Sequence, residues 1–369
     1  MSEKALVLAS GLFATPNAKT AHGLVRGPSR FPVAALIDPD FAGRDAGEVL
    51  DGKPRGIPVF ASVAAALAEL SPRPSHAIVG VATVGGVLPP AIRRDLVAAA
   101  AAGLSLVSGL HRLLADDPEL AALAALHGGA IVDIRKPRPA SELAFWTGEI
   151  LKLATPRFAV LGTDCALGKR TTCGLLLAEC RARGREAEMI YTGQTGWLQG
   201  YRYGFILDST LNDFVSGELE KAILSCARER NPQLILIEGQ SGLRNPSGPC
   251  GAEILVSGAV QGVILVHAPG RHHYEVFEDL GGEEGALADG AQLRLPSAAA
   301  EIALIAHYGK KVLGLALNPE GLEPAAARLS RDLLAAELGI PVVLPLEDGV
   351  GQLVDALEAE LAAAPRRAS

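Results

Sequence analysis

A glycine-bounded loop between an apolar strand and a helix constrains the fold of this chain more than any other feature. The loop covers 162–169 and reads Gly-Thr-Asp-Cys-Ala-Leu-Gly-Lys. It follows an apolar run at 158–161 and precedes a helical pattern that starts at Lys169. Backbone N–H groups in such a turn, and the start of the helix behind it, direct positive potential at an anion. The sequence therefore predicts a phosphate-binding loop, which we call the P-loop. A plain glycine-containing turn is the alternative.

The P-loop departs from the common pattern in two ways. Five residues separate Gly162 from Gly168, one more than usual. Arg170 stands where a Ser or Thr normally binds magnesium, and Thr171 and Thr172 are displaced candidates for that role. The cofactor-binding residues predicted here are Gly162, Thr163, Asp164, Cys165, Ala166, Gly168, Lys169, Arg170, Thr171 and Thr172.

Apolar runs alternate with alanine-rich helical stretches along the whole chain, which is typical of parallel sheets covered by helices. In the N-terminal third, strands are predicted at 4–9, 31–38, 76–81 and 104–108, with helices at 18–26, 62–70, 90–102 and 118–127. Further on, strands are predicted at 158–161, 188–192, 234–237, 263–267, 312–317 and 341–344, with helices at 169–183, 212–230, 325–338 and 351–363. The glycine-rich stretch 281–290 has no periodic pattern and is expected to be a mobile loop.

These elements predict an α/β protein of two domains. A Rossmann-like parallel sheet is expected over 1–138, and a P-loop NTPase-like doubly wound parallel sheet over 157–369. The stretch 139–156, around Trp146, is expected to be a connecting helix or linker, because two nearby prolines interrupt the pattern just before it.

The N-terminal domain lacks the signature of a dinucleotide site. Asp38 ends its second strand, where a dinucleotide-binding fold meets a ribose. The turn after the first strand begins Ser10-Gly-Leu and does not carry the GxGxxG pattern. We therefore expect a substrate-capping or subunit-contact role for this domain in place of NAD binding.

Composition narrows the class of protein. Hydrophobic residues make up 49% of the 369 residues, enough for buried cores. A net charge of −7 argues against a general nucleic-acid binder, and no apolar run reaches the roughly 20 residues of a membrane span. The five cysteines form no Cys-x-x-Cys pair, which is typical of reduced thiols in a cytoplasmic protein. We expect a cytoplasmic protein with a small-molecule substrate, assembled as a homo-oligomer. No metal site is expected, because His272 and His273 have no further ligand at a suitable spacing.

Polar residues follow several predicted strands of the second domain, at the edge where a parallel sheet binds its ligands. Glu238 and His267 each end a buried apolar run. Gln194 and Thr195 lie between two glycines just after a strand, which suits a loop that approaches a ligand, or a simple turn. Asp213 opens a helix, where the helix dipole favours an acid; the alternative is a base that faces the ligand.

The five-residue spacing and the Gly-Thr-Asp opening resemble the P-loop of dethiobiotin synthetase and its relatives. In such proteins a second acidic residue ends a buried strand, and Glu238 stands at that place. An Asn at a strand end often faces adenine in such folds, and Asn318 matches that position. Asn318-Pro319 is equally typical of an ordinary turn.

The chain also resembles one family over nearly its full length. The matching segments read Asn-Ala-Lys-Thr-Ala at 17–21, Ala-Leu-Ile-Asp at 35–38, the P-loop with its helix start at 162–172, Gly-Gln-Thr-Gly at 193–196, Asp-Phe-Val at 213–215 and Glu-Gly-Gln at 238–240. The family is bacterial and archaeal, was first described as a domain of unknown function, and joins a Rossmann-like domain to a P-loop domain. Its characterised members are D-glutamate N-acetyltransferases of the DgcN type. Ser241-Gly242 is a local departure, because Gly then Ser is expected there.

The resemblance implies transfer of the acetyl group of acetyl-coenzyme A to the amine of D-glutamate, with the P-loop holding the coenzyme A phosphates. Magnesium is then optional, and Arg170 offers a planar fork to phosphate oxygens. The amine must lose a proton, and Asp213, Glu238 and His267 are the candidate general bases. Backbone N–H groups near Gly239 are expected to form the oxyanion hole.

The two carboxylates of glutamate require cationic partners. Arg244 and Arg271 lie in loops after strands, and with Gln194 and Thr195 they are the predicted substrate-binding residues. Two other functions remain open at this stage. One is a magnesium-dependent enzyme that uses ATP or GTP, either a kinase or a carboxylate-activating ligase. The other is a non-catalytic nucleotide-binding protein.

Overall fold

The computed structural model describes residues 3–279 and 293–363. The loop predicted at 281–290 lies outside the described residues. Contacts divide the chain into two units. The first unit comprises Met1–Pro137 and Gln194–Tyr201, and the second comprises Arg138–Gly193 and Arg202–Ser369. The sequence-based domain limits stay a prediction, and they do not anticipate that a short segment from the middle of the chain belongs to the first unit.

The first unit is a parallel sheet of six strands flanked by helices. Its strands are β1 (Ala5–Leu8), β2 (Val33–Ile37), β3 (Val59–Phe60), β4 (His76–Val79), β5 (Ser105–Ser108) and β6 (Ile131–Asp133). Its first helices are α1 (Lys19–Arg26), α2 (Ala46–Asp51), α3 (Val63–Glu69), α4 (Pro90–Ala101) and α5 (Pro118–His127). The strand order is β3-β2-β1-β4-β5-β6 with every pair parallel. This is the order of a Rossmann sheet, so the predicted class is confirmed.

The second unit is a parallel sheet of seven strands. Its strands are β7 (Arg157–Gly162), β8 (Ala187–Tyr191), β9 (Tyr203–Gly204), β10 (Leu234–Glu238), β11 (Gly262–His267), β12 (Lys311–Leu317) and β13 (Val342–Val343). Its helices are α6 (Lys169–Ala182), α8 (Asn212–Arg230), α9 (Ala252–Val256), α10 (Glu275–Asp279), α11 (Ala298–His307), α12 (Pro324–Leu338) and α13 (Gly351–Ala363). The order β13-β12-β11-β7-β10-β8-β9 places β7 between β10 and β11, with every pair parallel. Loops after these central strands therefore meet at one edge of the sheet.

The central strands of both sheets are apolar on both faces, since helices cover each side. Every residue of β1 and β10 is buried, for example. These continuous apolar runs explain why the sequence locates the strands well.

The remaining helix, α7 (Gln194–Leu198), packs within the first unit although its neighbours in sequence belong to the second. The guanidinium of Arg30 lies over the Trp197 ring, 4.3 Å from its centre. The Gln199 side chain donates to the Gly23 carbonyl at 2.8 Å. Leu198 is fully buried in the first unit's core. The segment predicted as a ligand loop is therefore a helix with core contacts.

Of the two alternatives for the stretch around Trp146, a connecting helix or a linker, the α-helix is wrong and the linker stays a prediction. The stretch contains only two short 3-10 turns, Ala140–Glu142 and Glu149–Lys152. The physical reason is a pair of buried carboxylates on α8. Glu218 accepts the Ala144 N–H at 2.7 Å, and Glu220 accepts the Thr147 and Ile150 N–H groups at 2.6 and 3.1 Å. These bonds replace the ones that a helix would make within itself.

Within the described ranges 3–279 and 293–363, no helix has both the length and the apolar character that crossing a bilayer requires.

Candidate active site

The P-loop joins β7 to α6 and folds back on the start of the helix. Ala166 and Gly168 take left-handed conformations, with φ of 53° and 98°. The Lys169 side chain lies on Gly162, where an added Cβ would come within 2.9 Å of the lysine Cδ. Its ammonium donates to the Asp164 carbonyl at 2.5 Å. The lysine charge, the arginine after it and the helix N-terminus are thus gathered at one loop, which is the arrangement of an anion site.

Asp164 organises the loops around the P-loop. One carboxylate oxygen accepts the Cys165 N–H at 2.7 Å and the Asn245 amide at 2.8 Å. The other accepts an Arg271 N–H at 2.9 Å and the Glu275 N–H at 2.6 Å. The side chain is fully buried. The carboxylate of Asp164 thus accepts from four donors of the protein, and contact of this residue with a cofactor stays a prediction.

Glu238 and His267 end the two strands that flank β7. Glu238 is buried and accepts the Thr192 N–H at 3.0 Å. Burial raises the pKa of Glu238, and the nearby Arg170 and Lys169 charges oppose that shift. The His267 Nδ1 lies 3.0 Å from the Thr163 hydroxyl, and burial lowers the pKa of His267 to about 4. His267 is therefore a neutral imidazole at neutral pH.

The turn after β10 lies against the P-loop backbone. A Cβ on Gly242 would lie 2.7 Å from the Thr163 carbonyl oxygen, so only glycine allows this approach. The Gly239 N–H donates to the Val160 carbonyl at 3.0 Å, so the oxyanion hole predicted near Gly239 would have to use the N–H groups of its neighbours and stays a prediction. The ladder between β7 and β10 already uses that N–H group. Among the described residues, no acceptor faces the backbone N–H groups of Gln240 and Ser241. The N–H groups of Gln240 and Ser241 are therefore the donors near Gly239 that could form an oxyanion hole.

Both arginines predicted to bind substrate are paired with acids. Arg244 donates through two nitrogens to one oxygen of Glu301, at 2.9 and 2.7 Å. Arg271 contacts Asp164, the Cys165 carbonyl and Glu320. Their substrate-binding role stays a prediction, and the contacts of Arg271 add a second role, that of holding the P-loop.

The remaining predicted residues lie in different surroundings. Asp213 is exposed in the first turn of α8, the position that the helix dipole favours for an acid. The Asn318 side-chain oxygen accepts the Glu320 N–H at 3.1 Å, which is the turn geometry that the Asn-Pro pair also predicts. Gln194 and Thr195 are buried in the first unit, and the Thr195 hydroxyl lies 3.4 Å from that of Thr20. Contact of any of these residues with a ligand stays a prediction.

Sequence reasoning missed Asn245, a buried residue whose amide donates to Asp164 and whose side-chain oxygen accepts the Ser247 N–H. The only local signal is the turn-forming series Asn-Pro-Ser-Gly that begins there.

In the first unit, the Asp38 carboxylate is used to fold the turn after β1. It accepts the N–H groups of Gly11, Phe13 and Asp40 at 2.9 to 3.1 Å. The side chain is fully buried. In a dinucleotide site the Asp38 carboxylate would bind a ribose, whereas here it accepts hydrogen bonds from backbone N–H groups. In the part of the chain that the structure describes, no group of three or more His, Cys, Asp or Glu side chains is placed to hold a metal.

Comparison with known proteins places these features in a family. The Rossmann-like domain of unknown function DUF1611, N-terminal part, matches 39–137, and the DUF1611 P-loop domain, C-terminal part, matches 144–354. A protein of Tritonibacter scottomollicae named D-glutamate N-acetyltransferase is 34% identical over 285 residues, 76% of this chain and 80% of that protein. A protein of the same name from a Pseudoalteromonas species is 28% identical over 283 residues, 75% of this chain and 79% of that protein.

A solved structure resembles nearly the whole chain. The crystal structure of a DUF1611 family protein from Anabaena variabilis has a TM-score of 0.82 and 30% identity, and the match covers 97% of this chain and 99% of that one. The family models, the relatives and this structure agree with the two sheets and the P-loop described above. The chain is a member of the DUF1611 family, with its Rossmann-like N-terminal domain and its P-loop C-terminal domain.

Proposed function

We propose that this protein transfers the acetyl group of acetyl-coenzyme A to the amine of D-glutamate. The observation that carries the proposal is the 34% identity, over 76% of the chain, to a protein named D-glutamate N-acetyltransferase. A second relative of that name matches a similar share of the chain. Such an extended similarity supports a shared reaction more strongly than a shared fold does.

The P-loop is suited to the phosphates of coenzyme A. Lys169 supplies a point charge, and Arg170 follows it at the start of α6. Ala166 and Gly168 have left-handed backbone, a conformation that occurs in loops whose successive N–H groups form an anion-binding concavity. In this proposal the loop binds and orients phosphate groups and breaks none of their bonds. The Arg170 guanidinium can then neutralise part of the phosphate charge, so a magnesium ion is not required for that purpose.

Acetyl transfer needs a base, because the ammonium of an amino acid is not nucleophilic until it loses a proton. Acetyl-coenzyme A supplies the activated acyl carbonyl and a thiol leaving group. Of the three candidates, Glu238 has a pKa raised by burial, which makes it a better proton acceptor near neutral pH than an ordinary carboxylate. His267 is neutral but holds a proton weakly, since its pKa is about 4. Asp213 is exposed.

The position of the thioester also bears on the choice of base. The thioester lies at the opposite end of coenzyme A from the phosphates. A base beside the P-loop therefore requires the pantetheine arm to turn back toward the sheet. We expect Glu238→Gln to lower kcat at least about 100-fold if it is the base. The same loss in Asp213→Asn, with Glu238→Gln near wild type, would assign the base to Asp213.

Thiol release from acetyl-coenzyme A tests the reaction itself. Purified protein would be given D-glutamate or L-glutamate with excess EDTA. We expect thiol release with the D isomer only, and much slower release from Lys169→Ala. Lys152→Ala is the matched control, because Lys152 is exposed and pairs with the exposed Glu149. Absence of release with both isomers would contradict the proposal.

One observation favours the alternative of a magnesium-dependent enzyme that uses ATP or GTP. Glu238 lies close enough to Lys169 and Arg170 for their charges to affect its pKa. P-loop enzymes that use Mg-nucleotides place an acidic residue there to hold the metal. Phosphate release from ATP or GTP that depends on magnesium and is abolished by EDTA would support this alternative. Tight nucleotide binding without turnover would support the other alternative, a non-catalytic nucleotide-binding protein.

A further inference from the structure

A buried carboxylate of α11 holds one of the arginines beside the P-loop. Glu301 lies in the first turn of α11, and its side chain is buried. It accepts two hydrogen bonds from Arg244, from Nε at 2.9 Å and from Nη2 at 2.7 Å, and both end on Oε2. The other oxygen, Oε1, is buried and has no hydrogen-bond partner in the part of the chain that the structure describes. The Glu301 carboxylate therefore bonds to Arg244 through one oxygen and leaves the other unused.

Such a pair adds little to the stability of the fold. The desolvation of a buried ion pair offsets most of the attraction between its charges. A buried oxygen without a partner adds a further cost. The clearest effect of Glu301 is geometric, because two bonds to one oxygen fix the orientation of the Arg244 guanidinium.

The guanidinium keeps one edge for another acceptor. An arginine can bind a carboxylate through the edge that carries Nε and Nη2 or through the edge that carries Nη1 and Nη2. Glu301 uses the first edge. No acceptor within 3–279 and 293–363 bonds to Nη1 of Arg244, and 38% of the side chain is exposed. We call the Nη1 and Nη2 edge the open edge.

The loop that carries Arg244 is fixed against the P-loop. The next residue, Asn245, donates its amide to Asp164 at 2.8 Å. Two residues before Arg244, Gly242 packs against the backbone of the P-loop. These contacts fix the backbone on both sides of the arginine, and Glu301 fixes its guanidinium. The open edge therefore has a defined position beside the P-loop.

The acids that act on this region are already paired. Tyr274 is buried, and burial raises its pKa to about 12. The charges of Glu301, Arg244 and Asp164 also affect that pKa, so these groups lie near the tyrosine. Glu301 accepts from Arg244, and Asp164 accepts from Arg271. The Tyr274 hydroxyl is neutral at neutral pH. The open edge is thus suited to an anion that comes from a ligand.

Charge selects the class of that ligand. Arg244 and Glu301 have no net charge when both are ionised. Their pair offers parallel N–H donors, which match the two oxygens of a planar carboxylate, but it attracts a doubly charged phosphate only weakly. The P-loop, with Lys169 and Arg170 at the start of α6, is the better phosphate site. An amino acid carries the carboxylate that the open edge fits.

We propose that the open edge of Arg244 binds a carboxylate of the amino-acid substrate, and that Glu301 is the positioning residue that holds this edge in place. The inference rests on the proposed function, which supplies D-glutamate as the substrate. Glu301 acts only through the arginine.

Steady-state kinetics of thiol release test the role of Arg244. Arg244→Gln should raise KM for D-glutamate about tenfold or more, because a charge-assisted contact is lost. KM for acetyl-coenzyme A should stay within about twofold of the wild type. Arg185→Gln is the matched control, because Arg185 pairs with Glu358 and lies just before β8, at the opposite edge of the sheet.

Three variants test the positioning role of Glu301. Glu301→Ala should raise KM for D-glutamate about fivefold or more. Glu301→Gln should keep that KM within about twofold of the wild type, because one amide oxygen can accept both Arg244 N–H groups, as Oε2 does. The double variant of Arg244→Gln and Glu301→Ala should have a KM within about twofold of Arg244→Gln alone, since Glu301 acts through the arginine.

Failure of the inference and failure of the proposed function give different results. An unchanged KM for D-glutamate in Arg244→Gln, or a rise in KM for acetyl-coenzyme A in its place, overturns the carboxylate site. Losses that multiply in the double variant, or a fall in kcat alone in Glu301→Ala, overturn the positioning role. If the wild type releases no thiol with D-glutamate, the proposed function is overturned, and the substrate assigned to Arg244 falls with it.

Discussion

Replacing Asp164 by Asn removes two of the four hydrogen bonds that the Asp164 carboxylate accepts beside the P-loop. The remaining side-chain oxygen can still accept from Cys165 and Asn245, whereas the new NH₂ group would face two donors, Arg271 and the Glu275 N–H. A hydrogen bond to a charged group contributes about 1.5–3 kcal/mol, and a buried donor without a partner costs about 1–3 kcal/mol. Arg271 keeps its bond to Glu320, so we expect a net loss of about 3 kcal/mol.

Differential scanning calorimetry measures this loss. For a unit of this size, about 3 kcal/mol corresponds to a fall in Tm of roughly 6–12 °C. Asp355→Asn is the matched control, because Asp355 is 65% exposed and its pair with Arg183 lies at the surface. The reasoning is refuted if Asp164→Asn lowers Tm no more than Asp355→Asn does. It is also refuted if the variant binds phosphate-bearing ligands with unchanged affinity.

Three further predictions follow from the same loop. Lys169→Ala should weaken coenzyme A binding about tenfold in calorimetry, and an unchanged Kd would remove Lys169 from the anion site. Arg271→Ala should raise KM for acetyl-coenzyme A if Arg271 acts by holding the P-loop, but KM for D-glutamate if it binds substrate; steady-state kinetics separate the two. The pKa of His267 falls from 6.5 unfolded to about 4 folded, so its contribution to stability is complete above pH 6.5 and declines as the pH falls toward 4. Urea unfolding of wild type and His267→Gln should converge over that range; parallel curves would contradict the low pKa.

Local sequence signals predicted many helices and strands with the bounds that the structure shows. The helices α5, α8 and α13 begin and end where the pattern predicts. For α5 the reason is visible, because Asp117 caps the N-terminus, Pro118 occupies the first turn and Gly128 ends the helix in a left-handed conformation. The buried strands were found through continuous apolar runs. The two-residue strands β3 and β9 were missed, since so short a run carries no periodicity, whereas β13 was predicted through the longer apolar run around it.

The hydrogen-bond partners within the candidate site were not predictable in the same way. The partners of Asp164 include Asn245, Arg271 and Glu275, which lie 81, 107 and 111 residues away in the sequence. Each is polar and unremarkable on its own, and only the folded sheet brings them to one carboxylate. The same holds for the glutamates of α8 that fix the segment around Trp146. A spacing pattern identifies a loop that binds anions, but it does not show which neighbours hold that loop.

The placement of α7 has a consequence for how the two domains can evolve. The helix is encoded within the stretch matched by the C-terminal family domain, 144–354, yet its Leu198 side chain completes the core of the first unit. A fragment that ended at Pro137 would lack this core residue and the tryptophan that stacks with Arg30. Recombination at the sequence boundary between the domains would separate a helix from the surface that it fits. We therefore expect the two domains of this family to be inherited as a pair, with substitutions in α7 matched by substitutions in the N-terminal sheet.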